Sequence, residues 1–209
     1  MASTIATPTA TLNSGGTTNS GGTRERILRS TLLLIGEHGI GAVSNRRIAA
    51  ESDVALGSLT YHFPNQTQLL REALLLYVHD EVQRLEAIAA ELRTSRPDAA
   101  EVATEVERIV ARSASRLEEI AELELHLQAS RDPALQEASQ RCFAAYEVLA
   151  AAALDALGVP EPQRHARTVV AVMCGLGVRR LGSGRHDAAG TADALLTVVA
   201  GARALRSQG

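Results

Sequence analysis

The sequence predicts an all-α fold, and three observations carry that expectation. Apolar residues make up 45% of the 209 positions, enough to build a core. Aromatics are only 2%, so that core is Leu, Val, Ile and Ala, of which Leu and Ala favour helix. No segment alternates with the period of two that marks a half-buried strand, whereas apolar residues recur at helical spacing along most of the chain. The expected architecture is about nine helices, the first three forming a small unit ahead of a larger helical body.

Each element follows from local signals. Residues 1–22 are mostly Thr, Ser, Gly and Ala with no charged side chain, the composition of a disordered tail. A first helix starts near Thr23, a good N-cap residue, with Ile27, Thr31, Leu34 and Ile35 on one face. Gly39 and Gly41 end it. Ser44 caps a short second helix to about Ser52 with Ile48 and Ala49 inward, and Ser52-Asp53-Val54 breaks the chain. A third helix, Leu56 to His62, buries Leu59 and stops before Pro64, which disfavours helical geometry at Phe63. The fourth runs from about Gln66 to Leu92 with Leu69, Leu70, Ala73, Leu74, Tyr77 and Val78 at helical spacing. Pro97 and Asp98 open a helix with Val102, Val106, Ile109 and Val110 on one stripe. The charged run "RLEEIAELELHLQASRD" forms a helix with Leu117, Ile120, Leu123 and Leu127 inward. Pro133 opens a helix to about Gly158, and two more span about Pro162–Leu181 and Thr191–Leu205 around "GSGRH".

Charge and motif content narrow the function. The formal charge of -3 argues against a simple polyanion binder, but it is unevenly spread. Thr23 to Ala73 holds six Arg against five acids, whereas Leu74 to Gly209 holds fifteen Arg against nineteen acids, and there is no Lys. Cys142 and Cys174 lack CxxC spacing and read as buried thiols of a reducing compartment. No apolar run of about 18 residues and no basic-then-apolar leader is present, so the expected location is the cytoplasm, away from membranes. HExxH, GxSxG, P-loop and dinucleotide fingerprints are missing. Asp80 and Glu81 are adjacent, so on a helix they diverge by about 100° and cannot work as paired carboxylates. No enzyme activity, metal or cofactor is expected.

The stretch "NRRIAAESDVALGSLTYHFPN", Asn45 to Asn65, carries the most chemistry. A helix that enters the DNA major groove, about 12 Å wide, needs short side chains at its tip and a second helix crossing behind it. Leu56, Gly57 and Ser58 supply a turn of little bulk. Arg46 and Arg47 flank it, suited to phosphate oxygens or a guanine edge. Thr60, Tyr61 and His62 offer side-chain donors, and the main-chain N–H groups at Asn65 and Gln66 open the next helix toward a phosphate. Two helices and a turn also occur in ordinary α-bundles. The competing reading is a helical interaction or scaffold protein without DNA binding, in which the Arg pair is a solvated face and Gly57-Ser58-Leu59 has no explanation.

The order of these residues adds a resemblance. Gly39, Ser44, Ile48-Ala49, Val54, Gly57-Ser58-Leu59, His62-Phe63 and Leu69-Leu70 stand at the spacing of the TetR family's DNA-binding domain, which Thr23 to Leu70 resembles. There are departures. Asp53 stands where the family has a turn glycine, Thr60 where it has a phosphate-contacting tyrosine, Gln66 where it has a lysine, and Asn45 where it has an apolar residue. The resemblance implies a helix-turn-helix DNA-binding domain over 23–68 and an effector-binding and dimerisation domain over 69–209. It implies a ligand-responsive regulator, most simply a repressor that leaves a palindromic double-stranded operator on binding a small molecule. A recognition helix of seven residues is only about 10 Å long, so specific affinity calls for two copies about 34–36 Å apart, hence a homodimer.

The resemblance also assigns expectations to the body. Leu195, Val198, Val199, Ala202 and Leu205 make one apolar stripe, and Val169, Val172, Met173, Leu176 and Arg180 another, interspersed with Gly175 and Gly177. Val172, Leu176, Leu195, Val199 and Ala202 are the expected dimer contacts, the alternative being that both stripes are intramolecular core. The groups available to an effector cavity are Tyr77, His126, Phe143 and Tyr146, although His126 also reads as a surface or core histidine.

Overall fold

The structure is a computed structural model that describes residues 22–95, 101, 104, 116–184 and 188–206. Eight helices and no strand are present among the described residues. They are α1 (Thr23–His38), α2 (Asn45–Glu51), α3 (Leu56–His62), α4 (Gln66–Ser95), α5 (Arg116–Ala129), α6 (Pro133–Ala156), α7 (Pro162–Ser183) and α8 (Ala188–Arg206). The expected tail over 1–21 and the expected helix opening at Pro97 lie outside the described residues. No helix among the described residues is long and apolar enough to cross a membrane.

Local chemistry sets the ends of the first elements. α1 begins one residue earlier than a Thr23 cap requires: Gly22 is its N-cap, and the Gly22 carbonyl accepts the Arg26 N–H at 3.2 Å. Gly39, at φ 73°, ends the helix and returns its N–H to the Ile35 carbonyl. A single 3-10 turn, Ile40–Ala42, leads to Ser44, whose Oγ accepts the Arg47 N–H at 3.4 Å and caps α2. The turn between α2 and α3 needs a left-handed residue, and Asp53 takes that conformation at φ 52° in place of a glycine. Asn65 caps α4 through its side chain, with the Gln68 N–H 2.8 Å from Oδ1.

One apolar cluster holds the small unit on the body. Ile27, Ile35, Ile48, Leu59 and Phe63 pack together with Leu69, Leu74 and Val78 of α4 and with Leu125 of α5, all fully or almost fully buried. Each such side chain contributes about 1.5–3 kcal/mol by leaving water. The cluster runs without a break across the expected domain boundary at 68/69. Ion pairs brace the same contact from outside, Arg24 with Glu72 and Arg29 with Asp80.

In α5 the expected stripe is partly displaced. Leu127 is 54% exposed, whereas Ala121, Leu125 and Ala129 face the core. Spaced four residues apart, these three form the face laid on α1, and Leu127 lies on the opposite side. The Leu117 side chain is outside the described residues.

Candidate functional sites

Two faces of the molecule bring chemistry together. The first is the outer side of α2 and α3. Leu59 is fully buried, which fixes the rotation of α3 and turns Leu56, Gly57, Thr60 and Tyr61 outward. Leu56 is 46% exposed and Tyr61 83%, both on the open side of the helix. A Cβ at Gly57 would meet nothing within 4 Å, so the tip of α3 stands clear of its own protein. Ser58 and His62 are half-buried at the edges, with the His62 ring 5.4 Å from Tyr61 in an edge-on arrangement.

The cationic groups differ in their freedom. Arg46 is exposed and has no ion-pair partner among the described residues. Arg47 is exposed, but one guanidinium N–H is donated to the Ala42 carbonyl at 3.2 Å. Thr60 spends its single proton inside the helix, where its Oγ1 lies 3.0 Å from the Gly57 carbonyl and 3.2 Å from that of Leu56. The Gln66 side-chain amide is likewise committed, donating to the Val43 carbonyl at 2.6 Å and tying α4 to the loop before α2. Tyr61 is therefore the most accessible side-chain hydroxyl of this face.

The second site is a cavity of about 220 Å³ in the body, between α4, α5, α6, α7 and α8. Its walls are aliphatic, with Leu92, Leu149, Leu154, Val170, Met173 and Leu195 among them. The polar lining is small and charged: Glu119, Glu122, His126, Tyr146 and Arg180. Arg180 pairs with Glu119, and both side chains are about nine-tenths buried. The Tyr146 hydroxyl lies 2.8 Å from Glu81 Oε1 and 3.3 Å from Glu122 Oε2. Arg84 closes on the same Glu81 through both oxygens, with Nε 2.8 Å from Oε2. His126 stacks on Phe143 at 4.4 Å between ring centres, and its Nδ1 is hydrogen-bonded to Ser139 Oγ at 2.8 Å.

This environment sets the titration of its neighbours. Burial, then Tyr77 and the carboxylates Glu122 and Glu81, push the Tyr146 hydroxyl well above the usual phenol range. Burial and then Glu122 push the Cys174 thiol up to about 11, so this cavity-lining thiol is a poor nucleophile. Cys142 is buried and raised by the same causes. No cluster of metal-ligand type occurs among the described residues.

Of the residues expected around an effector, His126 and Tyr146 line the cavity. Phe143 sits behind His126 and lines a separate shallow recess on α6 and α7. Tyr77 packs against the main core and is not part of the lining. Of the expected dimer contacts, Val199 and Ala202 are buried against Leu154 and Val159 of their own chain, and Leu195 lines the cavity. These three side chains are turned into their own chain. Val172 and Leu176 remain half-buried. The outward surface of the last two helices instead presents Ala171, Gly175 and Val178 on α7 and Leu196 and Ala200 on α8, with Leu196 63% exposed. A Cβ at Gly175 would meet nothing within 4 Å, so the close helix approach that an interior glycine suggests does not occur within this protomer.

Comparison with known proteins places the chain. Residues 27–73 match the model of bacterial regulatory proteins of the tetR family, and residues 97–202, about half the chain, match the tetracyclin repressor-like C-terminal domain. The HTH-type transcriptional repressor KstR of Rhodococcus jostii (strain RHA1) is 30% identical over 135 residues, which cover 65% of this chain and 54% of that protein. The alignment thus spans about half the length of that curated relative. The crystal structure of the transcriptional regulator SCO7518 of Streptomyces coelicolor A3(2) is 33% identical, with a TM-score of 0.62, covering 85% of this chain and 98% of that one. The multidrug binding protein EbrR, in its complex with ethidium, is 27% identical with a TM-score of 0.63, covering 85% of this chain and 98% of that one. With an N-terminal helix-turn-helix unit followed by a C-terminal helical domain, the chain belongs to the TetR family of bacterial transcriptional regulators.

Proposed function

We propose that the protein is a ligand-responsive repressor that binds a palindromic operator as a homodimer and releases it when a small molecule fills the body. The observation that carries this reading is the outward face of α3, bare at Leu56, Gly57 and Tyr61 over a buried Leu59. The unit to which residues 23–68 are assigned presents that face, and residues 69–209 hold the effector and the partner. Arg46, Arg47 and Tyr61 make backbone contacts, while Leu56, Gly57 and Ser58 approach the base edges. His62 and the exposed edge of Thr60 border the contact, and Gln66 contributes its main chain rather than its side chain.

The cavity connects to this face by two routes. α4 begins at its cap Asn65, three residues after α3, lines the cavity with Leu92 and holds the cavity-lining Tyr146 through Glu81. α5 carries Glu119, Glu122 and His126 into the cavity and also Glu124, whose Oε1 accepts the Ile40 N–H at 3.2 Å. A shift of either helix therefore moves the support of α1 and α2. For a near-complete switch the effector must favour the released state by about 5.5 kcal/mol. EbrR, similar in fold and sequence, has been crystallised with imidazole and with ethidium, which supports a small-molecule role for the cavity here. The partner face would be the outward side of α7 and α8 around Gly175 and Leu196.

The test is a mobility-shift assay on DNA flanking the gene. Wild-type protein should retard one fragment at nanomolar concentration, and Arg46→Ala or Tyr61→Ala should each weaken that binding by about tenfold or more. Mobility left unaffected by the protein for every fragment would favour the scaffold reading.

A further inference from the structure

Among the described residues the cavity is lined by the carboxylates Glu119 and Glu122, with Glu81 behind Tyr146, and the guanidinium groups that meet these three are those of Arg84 and Arg180. Arg84 closes on Glu81 and Arg180 on Glu119. Glu122 has no cationic side chain beside it among the described residues apart from His126, whose Nε2 is 3.6 Å from Oε1. That separation is beyond a hydrogen bond, and Nε2 itself is buried without a hydrogen-bond partner. The remaining donor is the Tyr146 hydroxyl. It has one proton and two carboxylates competing for it, and it lies closer to Glu81, at 2.8 Å, than to Glu122, at 3.3 Å. Glu122 thus takes at most the weaker share of one hydroxyl, and its carboxylate, on a side chain 23% exposed, still opens onto the chamber.

Each class of occupant meets this differently. Among the described residues no free guanidinium would offset Glu122 for an anion, since the cavity-lining Arg180 is held by Glu119. A neutral apolar molecule would take water from Glu122 and return nothing. An organic cation would supply the missing charge, and its apolar frame would fill the aliphatic walls beside the face of Tyr146. The chamber, about 220 Å³, is smaller than the roughly 300–1,000 Å³ of ordinary ligand pockets and favours a compact molecule.

Building on the reading of the chain as a ligand-responsive regulator, we propose that its effector is a compact organic monocation, an amine or quaternary ammonium on an apolar frame, whose charge is met by Glu122. Burial first, and then the nearby carboxylates, hold the neighbouring Tyr146 and Cys174 in their neutral forms, and the same carboxylates make the chamber attractive to such a cation.

Calorimetric titration of the full chain at pH ~8 tests this with three probes of similar size: benzyltrimethylammonium, the neutral 4-phenyl-2-butanone and the anion 4-phenylbutyrate. Wild-type protein should bind the cation about tenfold or more tighter than the ketone and should bind the anion most weakly. Glu122→Gln, which keeps the shape and the acceptor for Tyr146, should remove the cation's advantage and leave the ketone within about threefold. Equal affinity for cation and ketone, a cation preference that survives Glu122→Gln, or no cation binding up to millimolar concentration would overturn the proposal. The ordering of the probes on wild-type protein needs no variant to fold. Operator binding by unliganded protein is measured separately: its absence with the ordering intact sinks the regulator reading alone, and its presence with the ordering lost sinks the cation alone.

Discussion

Glu124→Ala should loosen the unit of α1 to α3 from the body without unfolding either. Glu124 is on α5, and its carboxylate accepts the main-chain N–H of Ile40, the first residue of the 3-10 turn that follows α1. Gly39 beside it is at φ 73°, and a Cβ there would lie 3.7 Å from the same oxygen, so the carboxylate reaches closely over the turn. A hydrogen bond to a charged acceptor is worth about 1.5–3 kcal/mol when sealed from water. Ile40 is only half-buried, so water can replace part of it, and a loss of about 1–2 kcal/mol is expected. For a chain of this size that corresponds to a fall in Tm of about 2–8 °C. Glu124→Gln keeps an oxygen acceptor and should cost less than about 1 kcal/mol. Scanning calorimetry measures the first effect, and amide hydrogen exchange the second: the Ile40 N–H should exchange faster in Glu124→Ala while amides inside α6 keep their protection. An unchanged Tm together with unchanged Ile40 exchange would show that this contact holds nothing.

Other outcomes follow from the same structure. With Gln66 in place of a lysine and its side chain tied to Val43, the slope of log affinity against log salt should be shallower than that of a protein neutralising about eight phosphates; an equal or steeper slope refutes the low count of ionic contacts. Leu59→Ala empties the fully buried contact beneath α3 and should cost about 2–5 kcal/mol by urea titration, with operator binding lost under conditions where the body remains helical. Burial opposes ionisation of Asp132, but the Arg71 guanidinium at 2.6 Å and the Ala134 N–H outweigh it and hold its carboxyl below the usual range. A depressed folded-state value gives stability that is present above the ordinary carboxylate pKa of about 3.9 and is lost as pH falls through the folded value. Asp132→Asn, which still caps α6, should therefore be less stable than wild type at pH ~7 and approach it below pH ~3; a gap independent of pH would refute the charge argument.

Much of the fold is legible because single residues mark its corners. Gly39 and Asp53 sit where the backbone turns left-handed, Ser44 and Asp132 cap helices through their side chains, and Pro64 closes α3. The rotation of α3 was legible for a related reason, since Leu59 is its sole buried residue. The body is harder to read. In α5 a run of glutamates reads as a solvated face, yet the helix buries two sides, one through Ala121 and Leu125 and the other through Glu119, Glu122 and His126 around the cavity. Charges that meet partners sixty residues away, as Glu119 meets Arg180, leave no local trace beyond the i,i+4 spacing of Glu122 and His126. α8 is apolar on nearly every side, so helical periodicity alone could not tell that Val199 and Ala202 turn inward while Leu196 turns out.

The most direct test of the central claim is a hydroxyl-radical footprint of the protein on the fragment it retards at lowest concentration. Two protected segments should appear on one face of the duplex, their centres one helical turn of about 34–36 Å or a multiple of it apart, with both lost together in Tyr61→Ala. Protection that follows no repeat, or a footprint that Tyr61→Ala leaves intact, would show that the exposed tip of α3 is not what reads DNA.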